Sequence, residues 1–151
     1  MTEFSHFDAH GRARMVDVSH KPDQKRTARA LGKVHLSPET LRKMNEGLLP
    51  KGDPFEIVRI AGIQAAKRTS ELIPLCHPLA LTQVDIELSI SDEGVEIQSQ
   101  VVCIGPTGAE MEALTAVSVA ALTLYDMCKA VDRRIVIGPI WLMEKKKESV
   151  A

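Results

Sequence analysis

Residues 108–132, GAEMEALTAVSVAALTLYDMCKAVD, form one long helical pattern whose middle is small or apolar on nearly every side. Such a helix is covered from more than one direction, so the rest of the chain must wrap it. Its few charged residues then need a reason. Glu110 and Glu112 fall in the first turn, where the helix dipole favours negative charge. Asp126 and Lys129 lie three apart near the other end and can pair on one face.

The covering elements can be read from periodicity. Leu81–Ile90 and Val95–Val102 alternate apolar and polar residues across a turn at Ser91–Gly94, the pattern of a hairpin with one wet face. Thr27–Leu36 alternates as well, interrupted by Gly32, and Ile135–Met143 supplies a last strand. Ser37-Pro38 opens a short helix that ends at Gly47. Asp53, Pro54 and Glu56 supply an N-cap, a first-position proline and a capping-box acid for a helix expected to run to about Leu72, before Pro74. The order strand, helices, strand, strand, helix, strand is a split βαβ arrangement. It predicts an α+β, ferredoxin-like sandwich: a four-stranded antiparallel sheet, two long antiparallel helices on one face, and a short inserted helix. Residues 1–14 read as a flexible arm, 15–145 as one domain, and 146–151 as a basic tail.

With 151 residues the chain suits one domain with a substantial core. A formal net charge of −1 argues against a general nucleic-acid binder, and 3% aromatics against a base-stacking platform. Cys76, Cys103 and Cys128 are too widely spread for a zinc motif and suit a reducing cytoplasm. No segment reads as membrane-spanning, and the start lacks the apolar core of a signal peptide.

Several polar residues remain after the core is assigned. Lys51 precedes the first long helix and Lys67 lies near its end, while His77 is fixed between Pro74 and Pro78 in a stiff elbow. If the two helices run antiparallel, Lys51 lies near Asp126 and Lys129, and Lys67 and His77 lie near Glu110 and Glu112. Asp126 is 14 residues beyond Glu112, about 21 Å of helix. Two clusters so far apart cannot act on one small group within a single chain. Either the ligand is long, or a second copy brings the complementary cluster across; a two-fold interface does this without extra residues. Each residue also has a plainer reading. Lys51 suits a solvated loop, Lys67 an exposed helix face, His77 a buried hydrogen-bonded ring, and Arg26 a surface charge. The turn Gly105–Gly108 precedes helix amides that can receive an oxyanion.

Taken together, MVDVS (15–19), KGD (51–53), RIAGIQAAKRTSELIPLCHPL (59–79) and TGAEMEALTAVSVAALTLYDMCKAVD (107–132) resemble the MoaC family, the cyclic pyranopterin monophosphate synthases of molybdenum cofactor biosynthesis. The resemblance implies ferredoxin-like subunits assembled as hexamers, trimers of dimers, with the pocket at the dimer interface. It implies a lyase that takes 3′,8-cyclo-7,8-dihydro-GTP, made by an upstream radical SAM enzyme, to cyclic pyranopterin monophosphate and pyrophosphate. No redox cofactor is implied; whether Mg2+ travels with the triphosphate stays open. Carried over by position, Lys51 and Lys129 are the catalytic pair and Asp126 the active-site acid. Leu75, Cys76, His77, Met111 and Glu112 are substrate-binding positions, and Arg26, Lys67, Glu110 and Lys145 align with pocket residues.

These residue types suit that chemistry. Ring opening and closure need proton transfer at several atoms, for which a lysine crowded by cations and partly desolvated, with its pKa lowered, is suited. Arg26, Lys67 and Lys145 are cations for a triphosphate, and Glu112 can accept from guanine-type N–H groups. The chain departs from the family at Pro106, where a basic residue is usual, and at Ala109, where valine is usual. It also departs at 145–149, where KKKES replaces a lysine-and-glycine run, exchanging an amide-rich loop for a cationic segment. A non-catalytic paralogue that binds a nucleotide or pterin is the alternative these departures leave.

Overall fold

The computed structural model describes residues 4–150; the outermost residues of the expected arm and tail, 1–3 and 151, lie outside the described residues. Eight elements follow in order: β1 (Gln24–His35), α1 (Pro38–Asn45), α2 (Phe55–Lys67), α3 (Thr69–Leu72), β2 (Leu81–Ser91), β3 (Gly94–Gly105), α4 (Glu110–Cys128) and β4 (Val136–Ser149). The sheet order is β2-β3-β1-β4 with every neighbour antiparallel. That is the order of a ferredoxin-like sandwich.

Alternation decides which face is covered. Along β3, Val95, Ile97, Ser99, Val101 and Cys103 are all buried, and between them lie the more exposed Glu96, Gln98 and Gln100. The buried row meets α4, where the Ser99 hydroxyl donates to the Ala113 carbonyl at 2.8 Å. Ala113, Ala116, Val117, Ala120, Ala121 and Leu124 of α4 are fully buried, enclosed by the sheet and by α2. By length and composition α4 is apolar enough to span a bilayer, but just over half of it is buried within the chain, while Leu122 and Tyr125 stay exposed.

Two glycines make this packing possible. A Cβ on Gly32 would stand 2.4 Å from the Val117 side chain, so the residue that interrupts β1's pattern leaves room for α4 to approach closely. A Cβ on Gly62 would meet Ile86 at 3.0 Å and the Ala116 carbonyl at 3.3 Å, so α2 is held tightly against α4.

Three boundaries differ from expectation. The helix expected from Pro54 to Leu72 is broken at Arg68 into α2 and α3. The Thr69 hydroxyl donates to the carbonyls of Ala65 and Ala66 at 3.0 and 3.1 Å, and such a back-bond bends a helix. Glu56 pairs with Arg59 at 3.2 Å in place of closing a capping box, although Asp53 does accept from the Phe55 amide at 3.0 Å. The last strand, expected to end at Met143, continues to Ser149, because β1 begins at Gln24 and its first residues pair with Lys145–Ser149. Most of the segment read as a tail is therefore the end of a strand. Residues 4–14, read as a flexible arm, contain a small hairpin closed by a bridge between Phe7 and Ala13.

The α1 cap forms as expected, with Ser37 Oγ accepting from the Thr40 amide at 3.2 Å. A buried carboxylate not singled out in the sequence completes it. Asp132 accepts from the Ser37 and Arg134 amides at 2.8 and 2.9 Å, tying the end of α4 to the start of α1.

Candidate active site

Chain direction places the candidate residues at opposite ends of α4. At its C-terminal end, Lys51 Nζ lies 3.0 Å from Asp126 Oδ2 and Lys129 Nζ lies 2.9 Å from Asp126 Oδ1. Lys51 precedes α2, so this contact shows that α2 and α4 run in opposite directions. Hydrogen bonds from Lys129 and then Lys51 hold the Asp126 carboxyl below its ordinary range. The same Asp126 bond raises the pKa of Lys129. This corrects the expectation of a lysine depressed by neighbouring cations: within the chain, its nearest charge is an anion.

At the N-terminal end of α4 a cleft of about 400 Å³ opens between the elbow 74–78 and the helix start. Leu75, Cys76, His77, Glu110, Met111 and Glu112 all line it. Glu112 is only 4% exposed, and burial raises its pKa, with the charge of Glu110 adding to the effect. Burial and then the charge of Glu112 also raise the Cys76 thiol, which disfavours its thiolate. His77 Nε2 lies 2.5 Å from the Val16 carbonyl. A carbonyl only accepts, so Nε2 carries the hydrogen and the neutral ring keeps its lone pair on Nδ1.

Beside the cleft lies a smaller pocket of about 230 Å³, lined by Arg26, Lys145, Lys146 and Lys147 with Gly108 and Glu110. Gly108 and Glu110 border both spaces. Lys145 Nζ lies 2.9 Å from Glu110 Oε1. Burial pushes Glu110 upward, but the Lys145 hydrogen bond, its own amide and the charges of Lys145 and Arg26 outweigh it and leave the carboxyl lowered. Arg26 donates to the carbonyls of Gly105 and Pro106 at 3.2 and 3.1 Å. Pro106, which lacks the basic side chain usual in the family, thus contributes its backbone to placing one. The continuation of β4 is what brings Lys147 here, since Lys147 is the register partner of Arg26.

The structure does not bring every candidate together. Lys67, expected beside His77, lines a separate groove with Ile63, Thr82 and Gln83 that shares Leu79 with the cleft. Lys51, Asp126 and Lys129 do not line the cleft. Conversely, sequence reasoning passed over the wall formed by Ser5, His6, Val16, Val18 and Lys21. The MVDVS segment was the one available signal, and its sparse apolar residues gave no period to locate it. Among the described residues, no group of three or more His, Cys, Asp or Glu side chains is arranged to hold a metal ion.

A model of the MoaC family matches residues 15–148. The chain is 55% identical to the cyclic pyranopterin monophosphate synthase of Heliobacterium modesticaldum (strain ATCC 51547 / Ice1), covering 96% of this chain and 92% of that protein. It is 56% identical to the protein of that name from Roseiflexus sp. (strain RS-1), over 96% of this chain and 93% of that one. The corresponding values for the synthase of Desulfitobacterium hafniense (strain DSM 10664 / DCB-2) are 55%, 95% and 88%.

Proposed function

The chain belongs to the MoaC family, and we propose that it is a cyclic pyranopterin monophosphate synthase. It acts as a lyase of molybdenum cofactor biosynthesis, rearranging 3′,8-cyclo-7,8-dihydro-GTP to cyclic pyranopterin monophosphate with loss of pyrophosphate. The observation that carries this reading is the pairing of two spaces at the start of α4. One is lined by Cys76, His77 and the buried Glu112, and the other by Arg26, Lys145, Lys146 and Lys147. A heterocycle rich in N–H donors suits the first, and a triphosphate suits the second.

On this reading Glu112 accepts from the amino and ring N–H groups of the base. Arg26 and Lys145 hold the phosphates, with Lys67 reaching them from the neighbouring groove, and neutralise the charge that builds as the cyclic phosphate closes and pyrophosphate leaves. Lys51 and Lys129, both held by the Asp126 carboxylate, supply the acid and base steps between them, with Asp126 orienting the two ammonium groups. The two lysines reach the reacting atoms from a second copy, because their own chain keeps them at the far end of α4. A two-fold pair supplies both ends at each site, and three such pairs make the homohexamer. The substrate comes from a radical SAM cyclase, and the reaction runs in the cytoplasm, in keeping with three free cysteines. No redox cofactor takes part, since the rearrangement is not a net oxidation, and any Mg2+ enters with the triphosphate.

Incubation of the purified protein with the cyclised GTP, followed by assay of pyrophosphate and of the pterin product, tests the reading. Stoichiometric formation of both is expected. Tight binding without pyrophosphate release would instead assign the chain to a non-catalytic role.

A further inference from the structure

One wall of the cleft comes from the N-terminal hairpin, to which no role has been given. Asp8 stitches its turn, accepting from the amides of His10 and Arg12 at 2.8 and 2.9 Å and from Arg12 Nε at 2.9 Å. The Asp8 amide donates to the Arg12 carbonyl at 2.9 Å, and the Arg14 amide to the His6 carbonyl at 2.9 Å. This ladder holds His6 on the wall of the cleft that also contains His77 and Glu112.

The two histidines of the cleft are each held through one ring nitrogen by a backbone carbonyl. His6 Nδ1 lies 3.4 Å from the Arg14 carbonyl, and His77 Nε2 lies 2.5 Å from the Val16 carbonyl. In each contact the carbonyl only accepts, so the ring nitrogen donates, and the imidazole tautomer that does so keeps a lone pair on its other nitrogen. Together with the Glu112 carboxyl, the cleft then offers three acceptors. Acceptors of this kind fit a heterocycle carrying amino and ring N–H donors, beside the single lysine of the lining, Lys21.

We propose that His6 is a substrate-binding residue of this site, whose Nε2 accepts a hydrogen bond from an N–H or O–H group of the base or sugar. This deepens the proposed function and rests on it for the identity of the substrate. The N-terminal segment is therefore part of the binding machinery: its hairpin delivers one acceptor, and the Val16 carbonyl just after it orients a second.

His6 is exposed and its replacement leaves the core untouched. His6→Asn keeps an amide N–H where Nδ1 lies, preserving the bond to Arg14, and removes only the Nε2 end; His6→Ala removes both. Binding of GTP and of inorganic tripolyphosphate to the assembled protein is measured by calorimetry beside the KM and kcat for the cyclised GTP. For His6→Asn we expect GTP affinity to fall and KM to rise about five- to tenfold, the loss of one hydrogen bond. Tripolyphosphate affinity, kcat, assembly mass and Tm should stay at wild-type values. Unchanged GTP affinity, or an equal loss for tripolyphosphate, would overturn the role of His6, as would a loss that tracks a lowered Tm. A wild type that binds GTP but releases no pyrophosphate from the cyclised substrate would refute the proposed reaction, while the two binding measurements would still decide His6. A wild type that binds neither probe would refute both.

Discussion

Lys51, one residue ahead of the glycine that leads into α2, sets its ammonium 3.0 Å from the carboxylate of Asp126, in the last turn of α4. The pair links the start of one long helix to the end of the other. It also places Lys51 away from His77, which stands in the cleft at the opposite end of α4. A catalyst that uses both on one small reacting group would have to draw them from different copies.

Shared sites predict complementation. Lys51→Ala and His77→Ala should each be inactive alone. Dissociated and reassembled as an equal mixture, they should recover about a quarter of wild-type activity, since half the pairs are mixed and each mixed pair has one intact site. No recovery in confirmed mixed assemblies would mean that each chain builds its own site.

The two lysines and Lys67 should separate kinetically. Lys51→Ala and Lys129→Ala should lower kcat by roughly 10²–10⁴-fold, the range for loss of a general acid or base, without altering assembly mass. Lys67→Ala should chiefly raise KM, because its groove adjoins the cleft without opening onto Glu112. Steady-state pyrophosphate assays distinguish these outcomes.

Asp126 governs the protonation of Lys129. Its carboxyl is depressed and the ammonium raised by the same hydrogen bond. The carboxylate's contribution to stability is therefore present above its unfolded pKa and is lost as pH falls through the lower folded value. The ammonium's contribution is present below its unfolded pKa and is lost as pH rises through the higher folded one. Asp126→Asn should bring the Lys129 titration down toward its ordinary position, read by NMR on 13C-labelled lysine. An unmoved titration would show that the pair is absent in solution.

Glu112 should release protons when substrate binds. Burial holds its pKa up in the free protein, and N–H donors from the base favour the carboxylate and bring it down. Calorimetry in buffers of different ionisation enthalpy should report net proton release on the high-pH side of the ordinary carboxyl range, where the raised group still holds its proton. Glu112→Gln should remove it.

Gly32→Ala tests the closeness of α4 to β1. The added Cβ would lie 2.4 Å from Val117 Cγ1, and forced overpacking of this kind costs about 1–3 kcal/mol. The urea midpoint should fall accordingly.

Much of the architecture could be read from local pattern. The β2–β3 hairpin, the Ser37 cap and the apolar α4 depend on residues close in sequence, whose periodicity and turn chemistry act wherever they occur. The antiparallel placement of Lys51 beside Asp126 followed from element order alone. Features that depend on a distant partner were hidden. Polar Lys145–Lys147 become strand because β1 offers them free backbone groups; the break after α2 is by contrast local, where the Thr69 hydroxyl competes for carbonyls one turn back. Asp132 is buried because the distant Ser37 amide, together with the nearby Arg134 amide, satisfies it. His6 reaches the cleft on a hairpin with few apolar residues to announce it. Sequence alone determined the elements and the residue types that make the chemistry feasible, because those are set by short-range sterics and hydrophobic spacing. Which of those residues meet was decided by tertiary packing, since hydrogen bonds and ion pairs form between groups that the fold alone brings within about 3 Å.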